Sequence, residues 1–524
     1  MRSRAIFLAG VLMVVGLLAG VTAGSVTAAT STTVTWKVTS LTAGQVKSLS
    51  AVAKTNSSGV KTWSKKGSCT LTPKSKPTTL TMGSTGSCTL TLKIAKSGKY
   101  PAKTTTTTIT LASATTTTST STTVPTTPQW PATVGMSGKS VAAFPDGSSI
   151  VLGTTGSNVI VVAKYSALGT QDWIRETSVP SGTGNGQGTS IAVGSDSSAV
   201  ITGSFNSKVG FGSTILQSTV GGNDVFVAKI SSSGNWLWAT KGGGEGTELP
   251  GELAVLSDGS AIITGGFQDS VLFGSTTLTS EGNSDAFVAK ISSTGAWLWA
   301  AKAGGMASDV MTAQAVLSDG SIIVGGYHDS GTMSFGTISL SGSRWFLAKL
   351  SSSGVWVWAI NVGLESMIAS LTTVPGDDVL VTGGFSGTHQ FGDTTLTAGG
   401  DSVFVAKVSS SGTWQWATKT VGSGHAYGIA GLSDGSAILT GDFARSVVFG
   451  GSRISELGNM DIFAAKISSS GNWLWASGFG TDSFDRGYGV ATFSDGSAVL
   501  TGVSGGNFTG IVAKVSSDGV FVGR

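Results

Sequence analysis

Between Trp130 and the C-terminus one unit of about 58 residues recurs seven times, and a repeat of that length fixes an architecture before any residue has a role. Each unit holds a tight turn, a strand ending in Gly, a strand carrying Ala-Lys, a Ser-rich turn and, in most copies, a Trp-x-Trp strand. The strand-end glycines are Gly153, Gly203, Gly265, Gly325, Gly383, Gly441 and Gly502. The lysines keep the same step: Lys164, Lys229, Lys290, Lys349, Lys407, Lys466 and Lys514. In the clearest copy strand A covers 253–256, Ser257-Asp258-Gly259 turns into strand B at 261–265, strand C covers 286–291 and strand D 297–299. Asp-Gly between apolar runs signals a hairpin, because both residues tolerate positive φ. A four-stranded sheet with two apolar faces cannot bury them alone, so such sheets stack around a ring. The expectation is an all-β chain in which residues 129–524 form a seven-bladed β-propeller.

The residues upstream read differently. Residues 1–29 carry Arg2 and Arg4, an apolar run over 6–21 and small residues through Ala29, the build of a secretory signal. Cleavage there would leave a secreted or surface-held chain with no membrane span. Residues 30–112 alternate apolar and polar side chains in short runs, the period-2 pattern of half-buried strands, and predict a small β-sandwich. Both cysteines, Cys69 and Cys88, fall here, and in an exported chain a disulfide between them is the default, contributing on the order of 3 kcal/mol. Residues 113–128 are Thr, Ser, Ala, Val and Pro and read as an extended linker.

Charge separates the same segments. Twelve lysines and no acid lie between residues 31 and 112, whereas residues 129–524 hold 18 basic and 28 acidic residues, a balance of −10. A propeller of that sign is a poor nucleic-acid partner, while the basic segment suits an anionic cell-wall polymer. The hydrophobic share of 40 % excludes a largely disordered chain.

The repeats closely resemble the bacterial propeller family known as SBBP. The resemblance rests on Phe211-Gly212, the strand from Gly222 and Asp224 through Ala228-Lys229, the turn at Gly234, Trp236-Leu237-Trp238-Ala239 and Ser257-Asp258-Gly259. It implies the seven-bladed fold and no particular activity. The first and last units depart from the pattern: both lack Phe-Gly, and Val520-Phe521-Val522 stands where a Trp pair is expected. Gln129-Trp130-Pro131-Ala132 looks like a displaced strand D, which would let the N-terminus close the last blade. The upstream segment resembles bacterial immunoglobulin-like surface repeats through Cys69-Thr70, Gly86-Ser87-Cys88-Thr89-Leu90 and Gly98-Lys99-Tyr100. That resemblance implies a spacer or adhesive module.

Loops A–B and C–D are short and nearly uniform, while loops B–C and D–A vary and share the opposite face. Binding residues concentrate on varied loops held by a rigid scaffold. The candidate ligand-binding residues are therefore Glu245, Glu248, Asp309, His425, Tyr427, Asp482, Asp485 and Arg486, with Glu252 and Tyr488 on the same loops. The Trp pairs are expected to pack between blades, since burying each ring is worth several kcal/mol at about 25 cal/mol per Å². The repeated lysines are expected to pair with Asp224, Asp285, Asp401 or Asp461, or to reach solvent. His328, His389 and His425 fall in different blades without ligand spacing, so no metal or other cofactor is expected, calcium near Asp482 and Asp485 being a weak alternative.

No nucleophile elbow, phosphate loop or His-Glu-x-x-His occurs. The leading expectation is an exported, monomeric, non-catalytic binding or adhesion protein, its partner a cell-wall polymer, an extracellular glycan or a protein. Two alternatives stand beside it. One is a polysaccharide-degrading hydrolase or lyase using Glu245, Glu248, Asp309 or Asp482; the other is a structural surface spacer.

Overall fold

The computed structural model describes residues 129–523, apart from 180–184, 220, 330, 343, 364–366 and 506–508, together with strand segments between residues 34 and 111. The expected signal and linker lie outside the described residues. The chain divides into two units, 1–123 and 124–524.

In the first unit, Ser40–Leu41, Lys103–Leu111, Ser87–Ile94 and Lys61–Gly67 form a four-stranded sheet in that order. Val46–Ser48, Thr79–Met82 and Cys69–Thr72 form a three-stranded sheet, and Val34–Trp36 pairs with Ala53–Thr55. Leu90, Leu92 and Ile94 are buried and alternate with more exposed Thr91 and Lys93, as the period-2 reading requires. Cys69 opens a strand of one sheet and Cys88 lies in the other. The side chains of the expected disulfide lie outside the described residues.

The second unit is a ring of seven antiparallel four-stranded blades. Blade 3 shows the pattern, with strand A at Glu248–Val255, B at Ala261–Phe267, C at Asp285–Ile291 and D at Trp297–Ala303. Strands B and C are flanked by neighbouring blades on both faces, which is why they read as continuous apolar runs and are buried almost throughout. Strand D forms the rim, and the residue between its two tryptophans, Leu298, is 54 % exposed. The A strands line the axis: Ser137–Ala143, Asn185–Val193, Glu248–Val255, Asp309–Val316, Ile368–Val374, Val421–Gly431 and Arg486–Thr492.

The last blade joins the two ends of the propeller. Its strand C, Thr509–Val515, pairs with Phe521 through Val515 and then with Ala132–Val134, so one rim strand is assembled from both ends. Val522 N donates to Lys514 O at 2.9 Å, and Gly523 packs directly on the Trp130 backbone. Trp130 therefore stands where the missing tryptophan of the last Trp-x-Trp was expected.

The tryptophans zip blade to blade. The second Trp of a pair lies against the C–D turn glycine of the next blade and donates its indole N–H there. Trp238 reaches Ser293 O (3.1 Å) beside Gly295, and Trp475 reaches Ser517 O (3.0 Å) beside Gly519. Trp130 repeats the contact on blade 1, covering Gly169 and donating to Ala167 O at 3.4 Å. Gly169 has φ +87° with the Trp130 ring 2.8 Å from where a Cβ would stand, so the turn requires glycine. The first Trp of a pair packs edge-on against the Phe of Phe-Gly, as in Phe273–Trp297 with centroids 4.8 Å apart.

The Phe-Gly connections are not free loops. In blade 3 Ser270–Phe273 and Thr276–Thr279 form a hairpin that pairs with Gly243 and Gly244 of the preceding blade. Blades 2, 4, 5 and 6 carry the same hairpin. Most of the B–C connection is thereby structural, which narrows the variable face to the D–A loops and the axis.

The repeated lysines take different partners from those expected. Lys229 pairs with Asp196 (3.0 Å) and Lys407 with Asp378 (2.9 Å), both in the A–B turn region of the same blade. Asp224 and Asp285 instead bind Lys241 (2.5 Å) and Lys302 (3.2 Å) of strand D. The register explains the change: Lys and Asp stand at opposite ends of strand C, too far apart to meet.

Candidate functional site

Every A strand departs from regular pairing at one point of its register with strand B. The register shifts between Gly138 and Ser140, Gly188 and Ser190, Pro250 and Leu253, Met311 and Ala313, Ile368 and Ser370, Ala426 and Gly428, and Gly487 and Gly489. A bulge inserts a residue that has no cross-strand partner and re-aims its side chain. Blades 1, 6 and 7 thereby present Lys139, Tyr427 and Tyr488 to the axis. Blades 2, 4 and 5 present Thr189, Thr312 and Ala369, and blade 3 presents Gly251 and Glu252. The axial cavity measures about 690 Å³ and is lined by all seven blades. Its remaining polar wall is rich in hydroxyls and amides, among them Ser140, Gln187, Ser190, Gln314 and Ser370.

One sector of the channel gathers charge and aromatic surface: Lys139, Tyr427 and Tyr488 line the cavity, while Arg486, His425 and Asp442 pack beside them outside its lining. Tyr427 and Tyr488, on neighbouring blades, have ring centroids 6.1 Å apart. The Arg486 guanidinium lies 5.0 Å from the Tyr427 centroid, and Lys139 Nζ lies 4.8 Å from that of Tyr488, both within cation–π range. Arg486 Nε donates to Asp442 Oδ2 at 2.6 Å. His425 Nδ1 lies 3.4 Å from Asp442 Oδ1, and its Nε2 lies 3.6 Å from Asp401 Oδ2. Asp442 is fully buried and holds Arg486 and His425 from below.

The electrostatics follow from that packing. Hydrogen bonding to Asp442 raises the His425 pKa despite burial. Burial, then proximity to Asp442, raises the Tyr427 hydroxyl, so it stays a phenol across the physiological range. Burial and then Arg486 lower Lys139, which nonetheless keeps solvent contact through the channel. In blade 3, Glu252 Oε2 accepts from Gln314 N (2.8 Å) and Oε1 from Ser370 Oγ (3.2 Å). Burial outweighs these bonds and pushes the Glu252 carboxyl up to about 8.

Of the sequence candidates, the fold brings His425, Tyr427 and Arg486 together. Glu245 and Asp482 are exposed on separate D–A loops. Glu248, Asp309 and Asp485 occupy one repeat position in three blades and are buried under their loops. Asp485 accepts from Thr481 N (2.7 Å) and Gly505 N (3.0 Å), and Asp309 accepts from Gly305 N (2.7 Å). Burial pushes Asp309 up to about 6, and burial with the nearby Asp224 pushes Glu248 up to about 8. Among the described residues none of Glu245, Glu248, Asp309 and Asp482 lines the axial cavity, so they do not form a carboxylate pair across it. His389 binds Ser386 O (2.7 Å) and Gly363 O, and His328 is buried opposite Asp309 in the strand pairing. Among the described residues, no three His, Cys, Asp or Glu side chains are grouped to hold a metal ion. Likewise no helix there is long and apolar enough to cross a membrane.

Sequence reasoning missed Lys139 and Asp442. Asp442 had a readable signal: it follows the strand-end Gly441, where blades 3, 4 and 5 carry Gly266, Gly326 and Gly384. Lys139 had none, because its bulge position carries Thr189, Thr312, Ala369 and Tyr427 in other blades and so leaves no repeated signal.

No family model matches the chain. Regulatory protein FlaEY of Caulobacter vibrioides is 26 % identical over 332 residues, which cover 57 % of this chain and 34 % of that protein. The chain thus spans about a third of that relative's length. Among solved structures, the BP39L lectin of Burkholderia pseudomallei superposes with a TM-score of 0.43 at 13 % identity, covering 74 % of this chain and 98 % of the lectin. A PL25 ulvan lyase gives 0.42 at 10 %, covering 75 % and 98 %, and YCF48 bound to D1 peptide gives 0.39 at 10 %, covering 74 % and 95 %. Likeness at this level says nothing of ligand or chemistry.

Proposed function

We propose that the propeller is a non-catalytic binding scaffold, of the SBBP type, for an extracellular glycan that enters the axial channel. The observation that carries this reading is the Tyr427–Tyr488 pair on the wall of a channel that also carries many hydroxyls and amides. Sugar rings present apolar C–H faces for aromatic stacking and hydroxyls for such a lining. A volume of about 690 Å³ falls within the roughly 300–1,000 Å³ of small-molecule sites. The Tyr427 hydroxyl, kept protonated by burial, suits contact rather than proton abstraction.

The same reading takes the chain as exported, on the build of residues 1–29, and the lysine-rich segment 30–112 as an immunoglobulin-like spacer that holds anionic wall polymer. Co-sedimentation of the full chain with insoluble polysaccharides and purified cell walls tests both parts. Tyr488→Ala should weaken saturable glycan retention at least about tenfold, while high salt releases the wall-bound fraction. Retention by neither material, or glycan retention indifferent to Tyr488→Ala, overturns the proposal.

A further inference from the structure

Two cations beside the tyrosine pair, Lys139 on the channel wall and Arg486 outside its lining, have hydrogen-bonding capacity that the fold does not use. Among the described residues, Lys139 Nζ makes no hydrogen bond or ion pair; it lies over the face of Tyr488 and is repelled by Arg486. Arg486 spends Nε on Asp442, and its two terminal nitrogens have no hydrogen-bond partner among the described residues. Asp442 Oδ2 serves Arg486 and Oδ1 serves His425, and among the described residues no ion pair joins Asp442 to Lys139. Glu252, the acid that lines the channel, is bound to Gln314 and Ser370 on the blade 4 and 5 side.

Placing two like charges beside each other costs free energy that an anion between them recovers. The flanking rings limit the geometry, since Lys139 lies over Tyr488 and Arg486 over Tyr427, one on each member of the pair. A ligand carboxylate at the junction of the two rings would therefore have both cations beside it. The terminal fork of an arginine matches a carboxylate, which it can bind through two parallel N–H bonds.

We propose that the channel ligand is an acidic saccharide, a uronate-bearing glycan whose carboxylate is held by Lys139 and Arg486 while its ring rests on the Tyr427–Tyr488 pair. This rests on the glycan reading above and adds the charge of the ligand and the residues that read it. Lys139 is the specificity residue with the least structural burden, since it holds no other side chain in place.

Calorimetric titration of the full chain with trigalacturonate, maltotriose and tetra-aspartate tests it, alongside Lys139→Met, Arg486→Lys and the loop control Glu245→Gln. Trigalacturonate should bind at least about tenfold more tightly than maltotriose, and Lys139→Met should remove about tenfold of that affinity. Arg486→Lys keeps a positive charge but loses the fork, and should weaken the same ligand while leaving maltotriose unchanged. Glu245→Gln should change nothing. Equal binding of maltotriose and trigalacturonate would overturn this inference and leave the glycan reading standing. Binding of tetra-aspartate alone, or of no probe, would overturn both, and full affinity in Lys139→Met would remove that residue's role.

Discussion

Arg486 on the first strand of blade 7 donates from Nε to Asp442 of blade 6 across 2.6 Å, and the carboxylate it meets is fully buried. Removing the guanidinium would leave that carboxylate without its arginine partner, with His425 and the Tyr427 hydroxyl beside it. Arg486→Ala should therefore destabilise the propeller by about 3 kcal/mol. Adding Asp442→Gly, which restores the residue of blades 3, 4 and 5, should recover part of the loss. Urea unfolding of the single and double variants measures the coupling, and strictly additive losses would contradict it.

Ring closure depends on Trp130 as the in-sequence blades depend on their own tryptophans. Trp130 is 4 % exposed, covers Gly169 and packs against Tyr165 at 6.2 Å between centroids. Trp130→Ala should cost about 3 kcal/mol and lower the melting temperature of the whole propeller rather than loosen one blade. A change under about 1 kcal/mol would mean that Phe521 and Ala132–Val134 close the ring unaided.

Two buried glutamates set a pH dependence of stability. Glu248 and Glu252 are each pushed from 4.5 up to about 8 by burial. Between those values the folded state binds more protons than the unfolded state, so stability falls as pH rises through the window and is lowest above about 8. For Glu248, with no surface exposed, the span is at most on the order of 5 kcal/mol. Glu248→Gln should raise stability at pH about 8 and flatten the profile, read from urea midpoints across pH. A Gln variant with an unchanged slope would contradict the assignment.

His425 should titrate above its ordinary 6.5, because Asp442 accepts its Nδ1 hydrogen bond and Asp401 faces Nε2, against the opposing charge of Arg486. A raised base contributes stability that is fully present below the unfolded value and is lost as pH rises through the folded one. The ring proton shift followed by NMR gives the value. Asp442→Asn should bring it down, and no change on that substitution would contradict the contact.

The blades were legible because the elements that stack them repeat: the Asp-Gly turn, the buried B and C runs and the Trp-x-Trp rim each recur at a fixed step. Trp130 was legible as a displaced rim residue for the same reason. The lysine partners were not, because a repeat gives spacing along the chain and not the end of strand C from which Lys229 reaches Asp196. Nor were the bulges legible, although they decide which A-strand side chains face the axis; Tyr427 and Tyr488 read as loop residues and prove to be bulge residues. Glu248, Asp309 and Asp485 were misleading in the opposite sense: acids before an A strand look like a binding rim, yet all three are buried, and Asp309 and Asp485 bind the backbone of their own loops.

The most direct test is hydrogen–deuterium exchange on the full chain with and without saturating trigalacturonate. The account predicts added protection concentrated in strands Val421–Gly431, Arg486–Thr492 and Ser137–Ala143, which carry Tyr427, Tyr488 and Lys139. It also predicts that Lys139→Met shifts the ligand concentration needed for this protection upward by about tenfold. Protection confined to the rim strands or to residues 30–112, with these three strands unchanged, would contradict the assignment of the axial channel as the binding site.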